Sequence, residues 1–282
     1  MKPLAALLLF SSLAATAQTC APPTGLKTEA DAARIQQQAM ALLPCLAHPD
    51  PRLRDDIAFE QLSAWSRAGK LDAATLLRLR AELVAVLDAK PDAAGVHQPF
   101  AVLALAEVAR ADRLKPFMTA EQRADLVDHA VRYLSGVSDY RGLIAGEGWR
   151  HGVAHGADLA LQLGMNDALS APQRQALLDA VTAQVLADHR HAYRFGEGQR
   201  LARAALQLQL KLNPDAAAWQ AWLDGLLAPL QKAKAWDEAT FTDLHNLRGF
   251  LWPLLAGVLD VADAEQRDKL QAPLQKTMRR LP

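Results

Sequence analysis

The 282-residue chain carries 31 Lys and Arg against 31 Asp and Glu, and 51% of it is hydrophobic. Balanced charge removes any whole-chain argument for nucleic acid or an anionic membrane surface as a partner. Ala and Leu dominate and aromatics are 6%, which favours helix over sheet in a chain long enough for a sizeable core.

The chain starts MKPLAALLLFSSLAATAQTC. Lys2 is a short basic start, Leu4 to Leu13 is an apolar run too short to span a bilayer, and Ala15-Thr16-Ala17 has the form of a cleavage site. Residues 1–17 therefore read as a signal peptide cut after Ala17, with residues 18–282 as a single α-helical domain. The expected location is periplasmic or secreted, with no stable membrane insertion after cleavage. Cys20 and Cys45 are the only cysteines, and in an oxidising compartment they are expected to form one disulfide.

Helix starts follow in order. An early pair spans about 28–47 and 54–68. Asp72, Thr119, Ser170, Asn213 and Asp263 then read as side-chain N-caps, several with Gln three residues later. Pro172 and Pro214 fall where first-turn proline is tolerated. The caps recur every 43 to 51 residues, and second helices are expected near Gln98, Glu147 and Glu197. This spacing predicts an all-α array of about six antiparallel helix pairs, a HEAT-like α-solenoid or, alternatively, a closed α/α toroid. No strand is required.

One stretch stands apart. In GEGWRHGVAHGAD, residues 146–158, a continuous helix places Glu147, His151, His155 and Asp158 on one stripe about 80° wide. Gly148, Gly152 and Gly156 occupy another side, suited to close helix packing. The frame Gly-Glu-Gly-x-Arg recurs at 196–200, so a shift of 50 maps His151 to Leu201, His155 to Ala205 and Asp158 to Leu208. The stripe is thereby expected on an inner surface, where polar groups need partners or a ligand. His151, His155 and Asp158 are candidate metal ligands, with His245 or Asp55 as remote additions. The motif is His-Gly-x-x-His, so the second-position glutamate of zinc proteases is absent. For His48, His97, His129, His189 and His191 a structural role is the expectation. No P-loop, Gly-x-Ser-x-Gly or Gly-x-Gly-x-x-Gly signature occurs, and cofactors stay unassigned.

The ordered segments LRDDIAFE (53–60), DYRGL (139–143), GWRHGVAHGAD (148–158) and EGQRLARA (197–204) resemble an uncharacterised bacterial family, domain of unknown function 2785. The resemblance implies that Asp55, Arg141, His151, His155, Asp158 and Arg200 occupy its polar motif positions. It implies no activity. The chain departs from it at Arg150, where a small residue is commoner.

Together these features predict an exported, monomeric helical-repeat protein. It is expected to bind a small ligand or peptide around Glu147–Asp158, using Asp55, Arg141, Glu147, His151, His155, Asp158 and Arg200. Two alternatives stand beside it. One is a hydrolase or lyase using His151 and His155, with or without metal, in which Glu147 and Asp158 orient the imidazoles. The other is a structural scaffold.

Overall fold

In the computed structural model the described residues are 19–187, 190–233 and 235–281. The leader expectation at 1–17 and His189 lie outside them. The described residues hold eleven α-helices: α1 (Ala32–Leu42), α2 (Glu60–Arg67), α3 (Ala73–Asp88), α4 (His97–Leu114), α5 (Ala120–Gly136), α6 (Gly152–Gly164), α7 (Ala171–Ala183), α8 (Glu197–Leu212), α9 (Ala216–Gln231), α10 (Glu238–Leu259) and α11 (Ala264–Met278). The fold is all-α, with strands confined to one short hairpin. Five consecutive pairs, α1–α2 to α9–α10, are followed by α11, which packs on α9 and α10. The expected sixth pair is thus a single helix. The second members α4, α6, α8 and α10 pack side by side in a row. No helix among the described residues is long and apolar enough to cross a membrane.

Local sequence explains most helix starts. Asp72, Thr119, Ser170 and Asp263 each accept a hydrogen bond from the backbone N–H three residues on, and Thr119–Gln122 and Ser170–Gln173 are complete capping boxes. Asn213 behaves otherwise. It ends α8 in the left-handed region (φ 48°), and Asp215 caps α9 instead. Asn tolerates that conformation, and a proline is a common stop just past a helix end, so Pro214 precedes the cap rather than sitting in the first turn.

The apolar faces bury into one connected cluster running from Leu26 to Leu274. At its N-terminal end Cys20 and Cys45 form a disulfide, with Cα atoms 4.6 Å apart and a sequence separation of 25. Closing such a loop removes unfolded-state entropy worth about 3 kcal/mol. Reduction, or a Cys20→Ser/Cys45→Ser variant, is therefore expected to lower unfolding free energy by about 3 kcal/mol in urea titration. An unchanged midpoint would mean that the loop is already held by other contacts.

Candidate functional site

The predicted helix from Glu147 does not form. Leu143–Ile144 (β1) and Gly148–Trp149 (β2) pair antiparallel, with Leu143 opposite Trp149 and Ile144 opposite Gly148. Two more backbone bonds, from Arg150 N–H to Gly142 O and His151 N–H to Arg141 O, extend the ladder. Gly146 and Gly148 both adopt positive φ, at 78° and 79°. A Cβ on Gly148 would stand 2.5 Å from Pro51 Cβ and 2.8 Å from an Arg54 guanidinium nitrogen, so only glycine fits this approach. Glu147 therefore lies at the hairpin turn, off the α6 stripe, and its carboxylate pairs with Arg150 at 2.7 Å. The Gly-Glu-Gly-x-Arg frame builds a hairpin here and a helix start at Gly196. Counted from helix starts, α8 follows α6 by 45 residues and not by the expected 50.

His151 is the N-cap residue of α6 and sits in the left-handed region at φ 54°, ψ 33°. For a residue other than glycine this is an uncommon, costly conformation, held here by its surroundings. Trp149 stacks on the imidazole with centroids 4.7 Å apart, and Phe195 meets Trp149 edge-on. His151 Nε2 faces Glu197 Oε1 at 3.5 Å, and neither buried atom has a hydrogen-bond partner. The other Glu197 oxygen accepts from the Phe195 N–H. Burial pushes the His151 pKa down; Glu197 opposes that shift and Arg200 adds to it.

His155 lies one turn further, buried, with Nδ1 3.0 Å from the Pro99 carbonyl and its ring edge-on to Phe100. Burial pulls its pKa down to about 3, so it is neutral in ordinary solution. The expected glycine packing holds for α6: a Cβ on Gly152 would strike the Tyr133 hydroxyl, and one on Gly156 would strike Leu134, both on α5.

Asp55 belongs to a π-helical stretch, Arg52–Phe59, that leads into α2. Such wide turns often mark functional places. Arg54, with a fully buried side chain, pairs with Asp55 at 2.7 Å, donates to the carbonyls of His48 and Glu147, and lies over the Phe100 ring at 4.8 Å. Burial pushes the Asp55 pKa up, against the pull of Arg54.

Asp158 faces α8 and pairs with Arg200. Burial raises its pKa while Arg200 and Arg203 oppose the shift. Beside it, Glu107 of α4 takes a two-pronged hydrogen bond from Arg67 of α2, with both its oxygens within 3.1 Å of Nε. Arg113 donates to Gln162 one turn on. A charged row thus crosses α2, α4, α6 and α8.

The seven predicted residues do not converge in one cavity. His151 and His155 are ring neighbours, with centroids 5.6 Å apart. Asp158 turns to Arg200, Asp55 to Arg54, and Arg141 to Asp139 beyond the hairpin. His245 instead meets the Tyr193 carbonyl. Among the described residues no three His, Cys, Asp or Glu side chains stand together so as to hold a metal ion. His151, His155 and Asp158 in particular point to three different partners. Of the histidines expected to be structural, His48 accepts from the Asp50 N–H, His129 lies between Asp125 and Asp88, and His191 stacks on Tyr140. Glu197 is the partner that the helical wheel missed for His151. Its signal was present in the second Gly-Glu-Gly-x-Arg, but the pairing spans 46 residues and no local pattern reveals it. Arg67 and Glu107 carried no sequence signal.

Comparison with curated proteins and with solved structures gave no match. A family profile described as "Protein of unknown function (DUF2785)" matches residues 83–255, more than half of the chain. This span holds Arg141, His151, His155, Asp158, Glu197 and Arg200, and begins after the 53–60 segment. On that match the chain belongs to the DUF2785 family.

Proposed function

We propose that the protein is an exported, HEAT-like helical-repeat protein that binds an anionic ligand on the face formed by α2, α4, α6 and α8. One observation carries this reading. Two sheltered carboxylates, Glu107 and Asp158, each hold an arginine whose side chain stays about half exposed, Arg67 at 58% and Arg200 at 44%. Anchoring one side of a guanidinium leaves its remaining N–H donors positioned for a carboxylate or phosphate. Arg203 adds its positive charge beside Asp158, and Arg110 stands close enough to Arg113 for the two guanidiniums to repel. The Cys20–Cys45 disulfide supports export to an oxidising compartment.

Two probes test the reading on the mature chain: citrate, and a fluorescein-labelled hexaglutamate peptide. Binding of one or both is expected, weakening steeply with added salt. An Arg200→Gln/Arg203→Gln variant is expected to bind about tenfold more weakly. Peptide binding without citrate binding makes the ligand a peptide, and the reverse makes it a small molecule. No binding of either at low salt, or an unaffected double variant, removes the reading.

Acid–base chemistry is the second reading. It is favoured by the His151 Nε2 that faces Glu197 and by burial, which lowers the imidazole pKa and so favours its neutral form. In this version of a hydrolase or lyase Glu197 takes the orienting role expected of Glu147 and Asp158. A turnover found by substrate screening that survives His151→Gln would exclude it.

A further inference from the structure

A cavity of about 360 Å³ lies between the end of α3, the start of α4, the second half of α5 and the loop 137–141. That volume is at the lower end of what small-molecule sites occupy. Its inner wall is apolar, from Leu87, Pro99 and Val137, and the Tyr133 hydroxyl stands there over Gly152. Burial raises the Tyr133 pKa, so the phenol remains a neutral donor.

Charges of both signs meet at the mouth, and they differ in how firmly they are held. Asp139 and Arg141 are locked together by several hydrogen bonds, and Arg141 also reaches the Ala94 carbonyl. Gly95 makes room for this pair, since a Cβ there would stand 2.6 Å from the guanidinium. Asp88 and Arg132 are held loosely. They face each other at 3.6 Å, and both side chains are 60% exposed. The second contact of Asp88 is His129 at 3.2 Å. A loose exposed pair opens at little cost, because such pairs are worth about 0–1 kcal/mol.

We infer that this cavity binds a small zwitterion with an apolar body, of amino-acid or dipeptide size. Asp88 receives the ammonium, Arg132 receives the carboxylate, and the apolar part rests on Leu87, Pro99 and Val137. The site uses none of the residues of the anionic-ligand face, so either assignment can fail alone.

Calorimetric titration of the full mature chain tests it, with leucine and leucyl-leucine and their N-acetyl and amide derivatives as probes. At least one free zwitterion is expected to bind, and blocking either end to weaken it by about tenfold. Asp88→Asn should abolish the preference for a free amine, and Arg132→Gln the preference for a free carboxylate. Both side chains face solvent, and circular dichroism confirms folding of each variant. Ser138→Trp, which sets an indole at the mouth, should eliminate binding. No heat from any probe at millimolar concentration overturns the assignment. So does equal binding of the amide and the free zwitterion, or discrimination that survives both charge substitutions.

Discussion

Arg54→Ala is expected to cost about 3–5 kcal/mol of unfolding free energy, the range for breaking a buried ion pair from one side. The side chain is fully buried, and its loss leaves Asp55 without its counter-charge. It also leaves the carbonyls of His48 and Glu147 without this donor. Glu147 lies 93 residues away in the hairpin turn, so this guanidinium ties the π-helical stretch ahead of α2 to the hairpin that positions His151. Arg54→Lys should recover only a minor part. A single ammonium cannot reproduce the planar fork that spans both carbonyls while lying over Phe100. Urea denaturation of the three proteins measures the effect. A loss below about 1 kcal/mol for the alanine variant would mean that the surrounding carbonyls find other donors.

Acid is expected to destabilise the protein through His155. The native pKa is about 3 against a usual 6.5, because burial disfavours the imidazolium and the charges of His151, Arg200 and Arg54 add to that; the Pro99 carbonyl opposes them. Between these two values the unfolded chain binds a proton that the native state does not. Stability therefore falls as pH drops through this window and is unaffected above it. By pH 4 the contribution is about 3 kcal/mol. His155→Gln keeps an N–H for the Pro99 carbonyl and removes the titration. The variant is thus expected to gain about 3 kcal/mol on wild type between pH 7 and pH 4. Asp55 and Asp158 have raised native pKa values and act in the opposite sense, but they are present in both proteins and cancel in the comparison. A wild-type-to-variant difference that stays constant over this range would contradict the burial argument.

Most of the fold was legible because helix starts are local. A capping hydroxyl or carboxylate and the N–H it satisfies lie three residues apart, so Asp72, Thr119, Ser170 and Asp263 are readable without tertiary information. Leu201, Ala205 and Leu208 are buried as their helical spacing implied. The candidate site was half legible. Its residue types stood out, and His151 and His155 do lie together. Their partners did not stand out, since Glu197 and Pro99 reach them from other elements.

Sequence by itself determined the helical class, most of the helix starts it named, the close packing of Gly152 and Gly156, and the pairing of Cys20 with Cys45. Each follows from local hydrogen bonding, from periodicity, or from there being only two cysteines. Tertiary structure alone decided what Gly-Glu-Gly-x-Arg becomes. The same letters permit both outcomes, because glycine accepts positive φ in either. At 146–150 Pro51 and Arg54 leave no room for a Cβ at position 148, and the chain folds into a hairpin. At 196–200 Gly196 takes positive φ ahead of Glu197, and α8 begins. That difference turns Glu147 toward Arg150 and brings Glu197 to His151.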